Sequence, residues 1–224
     1  MLKNSHILVA IDGPAGAGKT TIAKKLSQQL GVLYLNTGAM YRAAGLQAKR
    51  THIDPLNEQD VLTFLSALQV DVLYENGMQR TLLNGEDVTE QLTDPIISEY
   101  ASKISSLASV RQKMVQLQQQ LAQKQSLIID GRDIGTVVLP NATHKFYLDA
   151  KVEERAKRRY QEYINKGENN ASYEQILLDM KERDYRDTTR EHSPLKQAED
   201  AVYIDSTKLS IEEVVQVILN HFKG

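Results

Sequence analysis

The sequence has 224 residues, roughly one and a half domains at about 150 residues each, and a chain of this size can bury about 70% of its unfolded surface. Hydrophobic residues at 41% and charged residues at 25% exclude a disordered chain, and a net charge of −2 excludes a global field steering it to nucleic acid or anionic lipid. The absence of cysteine excludes a disulfide framework, a thiol nucleophile and a thiolate metal site, and it fits a reducing cytosol.

The first apolar run, Ile7 to Ile11, is too short for a membrane span or a signal-peptide core. The expectation is a soluble cytoplasmic protein with neither nucleic acid nor membrane as a partner. His6 to Asp12 is β-branched and meets glycines at once, the pattern of a buried parallel strand. From Lys19, the residues Ile22, Ala23, Leu26 and Leu30 recur at helical spacing, and Gly31 supplies a stop. Val32 to Leu35 reads as a second buried strand. Val70 to Glu75, Asn76-Gly77 and Met78 to Leu83 form a hairpin signal with a strong two-residue turn, and Asp87-Val88-Thr89 suggests a third small strand. Helical segments at about 57–68 and 95–123 flank this β insertion of a few dozen residues, for which a surface ornament is the bland alternative.

Leu127 to Asp130, Lys145 to Asp149 and Val202 to Asp205 complete a set of five core strands, mostly separated by helical segments. The last helix opens with the capping box Ser210-Ile211-Glu212-Glu213 and carries Val214, Val215, Ile218 and Phe222 on one face. The expected architecture is α/β, a three-layer fold around a five-stranded, mostly parallel sheet with a small β insertion.

Gly13-Pro14-Ala15-Gly16-Ala17-Gly18-Lys19-Thr20 matches the phosphate-loop pattern G-x-x-x-x-G-K-[ST] in full. Backbone N–H groups must wrap a polyphosphate, glycines permit that wrap, and the helix that follows offers its free N–H groups to an anion. Lys19 is expected to reach the β- and γ-phosphates and the Thr20 hydroxyl to ligate Mg²⁺, so the chain is expected to bind ATP or GTP. A guanine-reading motif is missing: Asn165-Lys166-Gly167-Glu168 ends in Glu and does not follow a buried strand.

Six of the 11 arginines (Arg155, Arg158, Arg159, Arg183, Arg186, Arg190) lie between residues 151 and 190. Helical spacing puts Arg183, Asp187 and Arg190 on one face and pairs Arg155 with Arg159. Either these helices carry ordinary surface ion pairs, or the arginines grip phosphate, for which a bidentate guanidinium suits better than Lys. Asn36-Thr37-Gly38-Ala39-Met40-Tyr41-Arg42 and Asp130-Gly131-Arg132-Asp133 both follow predicted strands, where ligands of open α/β sheets collect. Arg42, Arg132 and Asp133 are therefore expected near the phosphate loop.

The phosphate loop, Thr-Gly-Ala-Met-Tyr-Arg, Asp-Gly-Arg-Asp-Ile-Gly-Thr-Val-Val, Glu-Arg-Ala-x-Arg-Arg and Arg-Asp-x-Arg-Asp-x-x-Arg follow one another over nearly the whole chain. In this the sequence resembles the bacterial cytidylate kinases, which phosphorylate CMP and dCMP. The resemblance implies that Gly13 to Thr21 (Gly13, Pro14, Ala15, Gly16, Ala17, Gly18, Lys19, Thr20, Thr21) hold the ATP phosphates. It implies that Arg42, Arg132 and Arg190 grip the acceptor phosphate with Tyr41 packing nearby, and that Ser102, Arg111 and Asp133 read the cytosine edge. Arg183 and Asp187 would contact the pentose hydroxyls, with Thr37 close by. Residues at about 151–170 would form a helical lid bringing Arg155 and Arg159 over the donor phosphates. Lys19, Arg132, Arg155, Arg159 and Arg190 would then carry the transfer. Asn36 stands where the family pattern has Asp, which removes a charge from that position.

The domain organisation implied is one kinase domain. Its core is about 1–56, 105–150 and 191–224, the acceptor-side insertion about 57–104, and the lid with the following Arg-rich helix about 151–190. A monomer is the default that the resemblance implies. No general base is expected, because a CMP phosphate is already ionised near neutral pH, and His6, His52, His144, His192 and His221 are scattered without pairing. The rivals are a kinase of the same sheet acting on another nucleotide, shikimate or gluconate, and a regulatory module that hydrolyses ATP to switch state.

Overall fold

The computed structural model describes residues 6–54, 57–165, 167 and 171–222. Lys166 and Glu168 of the rejected guanine motif, and the end of the expected lid at 168–170, lie outside the described residues. A five-stranded sheet has the order β2 (Leu33–Asn36), β6 (Leu127–Gly131), β1 (Leu8–Asp12), β7 (His144–Asp149), β8 (Val202–Asp205), and a three-stranded sheet the order β3 (Val70–Glu75), β4 (Met78–Leu83), β5 (Glu86–Asp87). The chain divides into two compact units, residues 1–32 with 126–224, and residues 33–125.

In the first unit β1 (Leu8–Asp12) pairs in parallel with β6 (Leu127–Gly131) on one side and β7 (His144–Asp149) on the other, and β7 pairs in parallel with β8 (Val202–Asp205). Val9, Ala10, Ile11, Leu127, Ile128 and Ile129 have no exposed surface, so the continuous apolar runs read from the sequence are those of strands covered on both faces. The helices of this unit are α1 (Lys19–Leu30), α6 (Val152–Asn165), α7 (Tyr173–Thr189) and α8 (Ile211–Asn220). Gly31 ends α1 in a left-handed conformation, φ 66°. The capping box at Ser210 and Glu213 is formed in both directions. Phe222 falls outside α8 and stacks on His144 instead, ring centroids 4.0 Å apart. Helix α7 stops one residue before Arg190, whose backbone is extended. Threonines end it: the Thr188 and Thr189 hydroxyls donate to the carbonyls of Asp184 and Tyr185. The turn Ile134–Val138 is π-helical, a feature with no periodic signature in five residues.

The second unit holds β2 (Leu33–Asn36), α2 (Thr37–Thr51), α3 (Glu58–Ala67), β3 (Val70–Glu75), β4 (Met78–Leu83), β5 (Glu86–Asp87), α4 (Pro95–Ile104) and α5 (Ala108–Lys124). The hairpin forms at Asn76-Gly77 as expected, both residues at positive φ, with Glu75 opposite Met78. The third small strand is Glu86–Asp87. Just beyond it the Thr89 hydroxyl, rather than backbone, accepts from the Thr81 N–H. The single helical segment expected at 95–123 is two helices. Ser105 and Ser106 break it by returning their hydroxyls to the carbonyls of Ser102 and Lys103 at 2.9 and 2.6 Å, and Leu107 restarts the chain in an extended conformation. Helices α2 and α4 cross closely at Gly45, where a Cβ would lie 2.7 Å from the Ala101 nitrogen.

Candidate active site

Strand β1 ends in the phosphate loop, and its first residue shows why glycine is needed there. Gly13 has φ 145°, and a Cβ on it would stand 1.9 Å from the carbonyl oxygen of Leu148. Gly18 caps α1 in a left-handed conformation with no side-chain cap, which leaves the first N–H groups of α1 for a ligand. The Lys19 side chain is buried and curls back, its Nζ donating to the carbonyls of Gly13 and Pro14 at 2.7 and 2.6 Å. The Arg155 guanidinium takes the next carbonyl. Its Nη1 donates to Ala15 at 2.9 Å, while Nε bonds the carbonyl of Ala150 and Nη2 meets Asp184 at 2.5 Å. Three successive carbonyls, at 13, 14 and 15, are thus engaged by cations. Thr21 lies on the exposed side of α1.

Burial pushes the Lys19 pKa well down, and the positive charges of Arg132 and Arg183 add to that depression. A polyanion at the loop would relieve this strain on the ammonium. The Thr20 hydroxyl donates to Asp130 Oδ2 at 3.1 Å, so two oxygen donors meet at the end of β6. Among the described residues no group of three or more His, Cys, Asp or Glu could hold a metal. The pair nevertheless fits Mg²⁺, which is held in phosphoryl-transfer sites by one or two protein oxygens together with substrate phosphates.

The other residues of this unit gather around Asp187. Its Oδ2 accepts from Arg132 Nε at 2.8 Å, its Oδ1 lies 3.7 Å from Arg190 Nη1, and Arg190 Nη2 lies 4.0 Å from Asp133 Oδ1. Burial alone would raise the Asp187 pKa, but Arg132, with Arg183 and Arg190, overcomes burial and lowers it. Burial likewise opposes the Arg132 charge, and Asp187, backed by Asp130 and Asp184, more than offsets it. The expected grouping of Arg183, Asp187 and Arg190 is therefore present even though Arg190 is not helical. Arg159 is placed differently from Arg155: it stacks over the Tyr163 ring at 4.8 Å and pairs with Glu162 at 3.0 Å, a short-range surface arrangement.

In the second unit the Asn36 side chain caps α2 by accepting from the Ala39 N–H at 3.0 Å, and Thr37, the first residue of α2, is buried. The Arg42 guanidinium folds back over Gly38, 3.1 Å from where a Cβ would stand. Arg111 is buried, lies 5.6 Å from the centre of the Tyr41 ring, and donates to the carbonyl of Ser105 at 3.3 Å. Ser105 in turn bonds the carbonyl of Ser102, so Ser102, Arg111 and Tyr41 are joined through the α4–α5 corner.

Two residues escaped the sequence reading. Asp130 is one, although it stands in the Asp-Gly-Arg-Asp string. Asp12 is the other: it is 3% exposed and accepts from the N–H groups of Ile134 and Gly135 at 2.8 and 2.7 Å, holding the segment that follows Asp133. The signal for Asp12 was a carboxylate closing a buried apolar strand, which must have partners.

A phosphate loop between β1 and α1, on a parallel sheet with the order above, defines the class as a phosphate-loop kinase fold. Shikimate kinase from Bacteroides thetaiotaomicron is similar in fold, with a TM-score of 0.50 at 12% identity over 97% of this chain and 99% of that one. The family profile described as cytidylate kinase matches residues 9–224. Relatives named cytidylate kinase include that of Caldicellulosiruptor bescii, 50% identical over 96% of this chain and 95% of its own length. That of Halalkalibacterium halodurans is 46% identical over 96% of each. This chain belongs to the cytidylate kinase family.

Proposed function

We propose that the chain transfers the γ-phosphoryl group of ATP to CMP or dCMP, giving ADP and CDP or dCDP. The observation that carries this reading is the family match over nearly the whole chain, joined to a phosphate loop whose buried lysine lies against the Gly13 and Pro14 carbonyls. The loop N–H groups and Lys19 bind the donor phosphates. Thr20 and Asp130 are the residues that would hold Mg²⁺, which when bound neutralises charge on the β- and γ-phosphates. Arg42, Arg132 and Arg190 take the acceptor phosphate, Ser102, Arg111 and Asp133 the base, and Arg183 and Asp187 the pentose. Arg155 acts on the donor side through the Ala15 carbonyl it already holds, and Arg159 would join it only by leaving Tyr163 and Glu162.

Because the attacking oxygen belongs to an ionised phosphate, the side chains need only position the two substrates and offset the charge between them. Among the described residues no helix is long and apolar enough to cross a membrane. The cysteine-free composition suits a reducing cytoplasm, and the resemblance supports a monomer.

The test is ADP formation with ATP, Mg²⁺ and separate acceptors (CMP, dCMP, UMP, AMP, GMP and shikimate), with the phosphorylated product identified in each case. Fast turnover on CMP and dCMP supports the reading. Preference for another acceptor overturns the base assignments, and ADP formation without an acceptor overturns the kinase.

A further inference from the structure

Among the described residues strand β2 is outermost in its sheet, so one side of its backbone faces no neighbouring strand of that sheet. In a strand, the N–H and C=O of residues two apart point to the same side, and on β2 both Tyr34 and Asn36 find side-chain partners. The Tyr74 hydroxyl donates to the carbonyl of Tyr34 at 3.2 Å. Gln79 Oε1 accepts from the N–H of Asn36 at 2.7 Å, and Gln79 Nε2 reaches the Asn36 carbonyl at 3.4 Å and the Thr81 hydroxyl at 3.1 Å. Tyr74 and Gln79 are themselves directly opposite each other in the β3–β4 hairpin. One cross-strand pair of the small sheet thus serves the open edge of β2 where β2 becomes α2.

We infer that Tyr74 and Gln79 are positioning residues for the acceptor: the small sheet clamps the edge of β2 and so fixes the helix start that carries Thr37, Tyr41 and Arg42. This rests on the CMP reading and gives the β insertion a task in it. Asn36 links the two. Gln79 holds its backbone while its side chain caps α2, so a shift of β4 is passed to the first turn of α2 rather than absorbed. Burial pushes the Tyr74 phenol up to about 12, so it stays neutral and keeps its proton to donate throughout the working range. An ornament would need neither contact.

Steady-state kinetics and amide exchange on Gln79→Ala, Gln79→Glu and Tyr74→Phe test the clamp. Losing the Gln79 contacts is expected to raise KM for CMP about five- to tenfold while KM for ATP changes less than about twofold. Gln79→Glu keeps an oxygen for the Asn36 N–H but loses the Nε2 donor to the Asn36 carbonyl, so it should recover only part of that loss. Exchange of the Asn36 amide should quicken about tenfold in Gln79→Ala, with the amides of Ala10 and Ile129 unchanged. An unchanged KM for CMP in folded Gln79→Ala, an equal rise for ATP, or unaltered Asn36 exchange would overturn the clamp. Wild-type protein that makes no CDP would instead overturn the CMP reading, and the exchange rate at Asn36 would still decide the contact.

Discussion

Asp12 and Gly135 are 123 positions apart in sequence, yet the Asp12 carboxylate accepts from the Gly135 N–H at 2.7 Å and from the adjacent Ile134 N–H at 2.8 Å. One buried side chain therefore joins the strand that enters the phosphate loop to the segment that leaves Arg132 and Asp133.

Burial raises the Asp12 pKa from 3.8 to about 6 against the pull of those two N–H groups. An acid whose folded pKa is raised contributes stability below its unfolded pKa and loses it as pH rises through the folded value. Between pH 4 and 7 the wild-type protein should therefore lose up to about 3 kcal/mol that Asp12→Asn does not lose. Denaturant titrations of both proteins at pH 4, 5, 6 and 7 measure this. Parallel stability curves would contradict it.

Lys19→Ala should lower turnover by at least about 10²-fold, the scale of removing one preorganised charge from a transferring group. The fold should survive, because the variant removes a buried cation whose pKa is already depressed by burial and by Arg132 and Arg183. Product formation is the readout, with circular dichroism confirming the folded state. Turnover within about threefold of wild type would exclude Lys19 from the transfer.

Asp187→Ala leaves Arg132 without its 2.8 Å partner and removes the carboxylate beside Arg190. Breaking a buried pair in this way costs about 3–5 kcal/mol. Thermal unfolding should show the loss at pH 7. It should shrink under acid, because a carboxylate with a lowered pKa contributes stability above its unfolded pKa and loses it as pH falls through the folded one. KM for CMP should rise more than KM for ATP in whatever fraction remains folded.

Gly45→Ala puts a methyl group 2.7 Å from the Ala101 nitrogen and 3.0 Å from the Ile97 carbonyl oxygen. Neither is a flexible side-chain end, so α2 and α4 must move apart at a cost of about 1–3 kcal/mol. Helix propensity alone predicts the opposite sign, a gain of about 1 kcal/mol. A lower denaturation midpoint therefore reports the crossing, and a higher one would show that the helices are not held so closely.

The phosphate loop, its strand and its helix were legible because each is local: a β-branched run, glycines where the backbone turns through positive φ, then apolar residues at helical spacing. The Asn76-Gly77 hairpin and the Ser210 capping box were legible for the same reason, since each is decided within four residues. The break between α4 and α5 was missed because Ser105 and Ser106 favour neither continuation nor termination until their hydroxyls have chosen the carbonyls of the preceding turn.

The α/β class, the phosphate-loop motif and the family are carried by short-range periodicity and contiguous motifs, and so are readable from the sequence. Only the tertiary structure decided that Arg155 holds the Ala15 carbonyl while Arg159 stacks on Tyr163, although helical spacing treats the two alike. It also decided that Asp130 meets Thr20, that Asp12 holds Gly135, and that Gln79 meets Asn36. Each of these last three contacts joins residues more than 40 positions apart. Which atoms meet is then set by packing of the whole chain, and no local spacing carries that information.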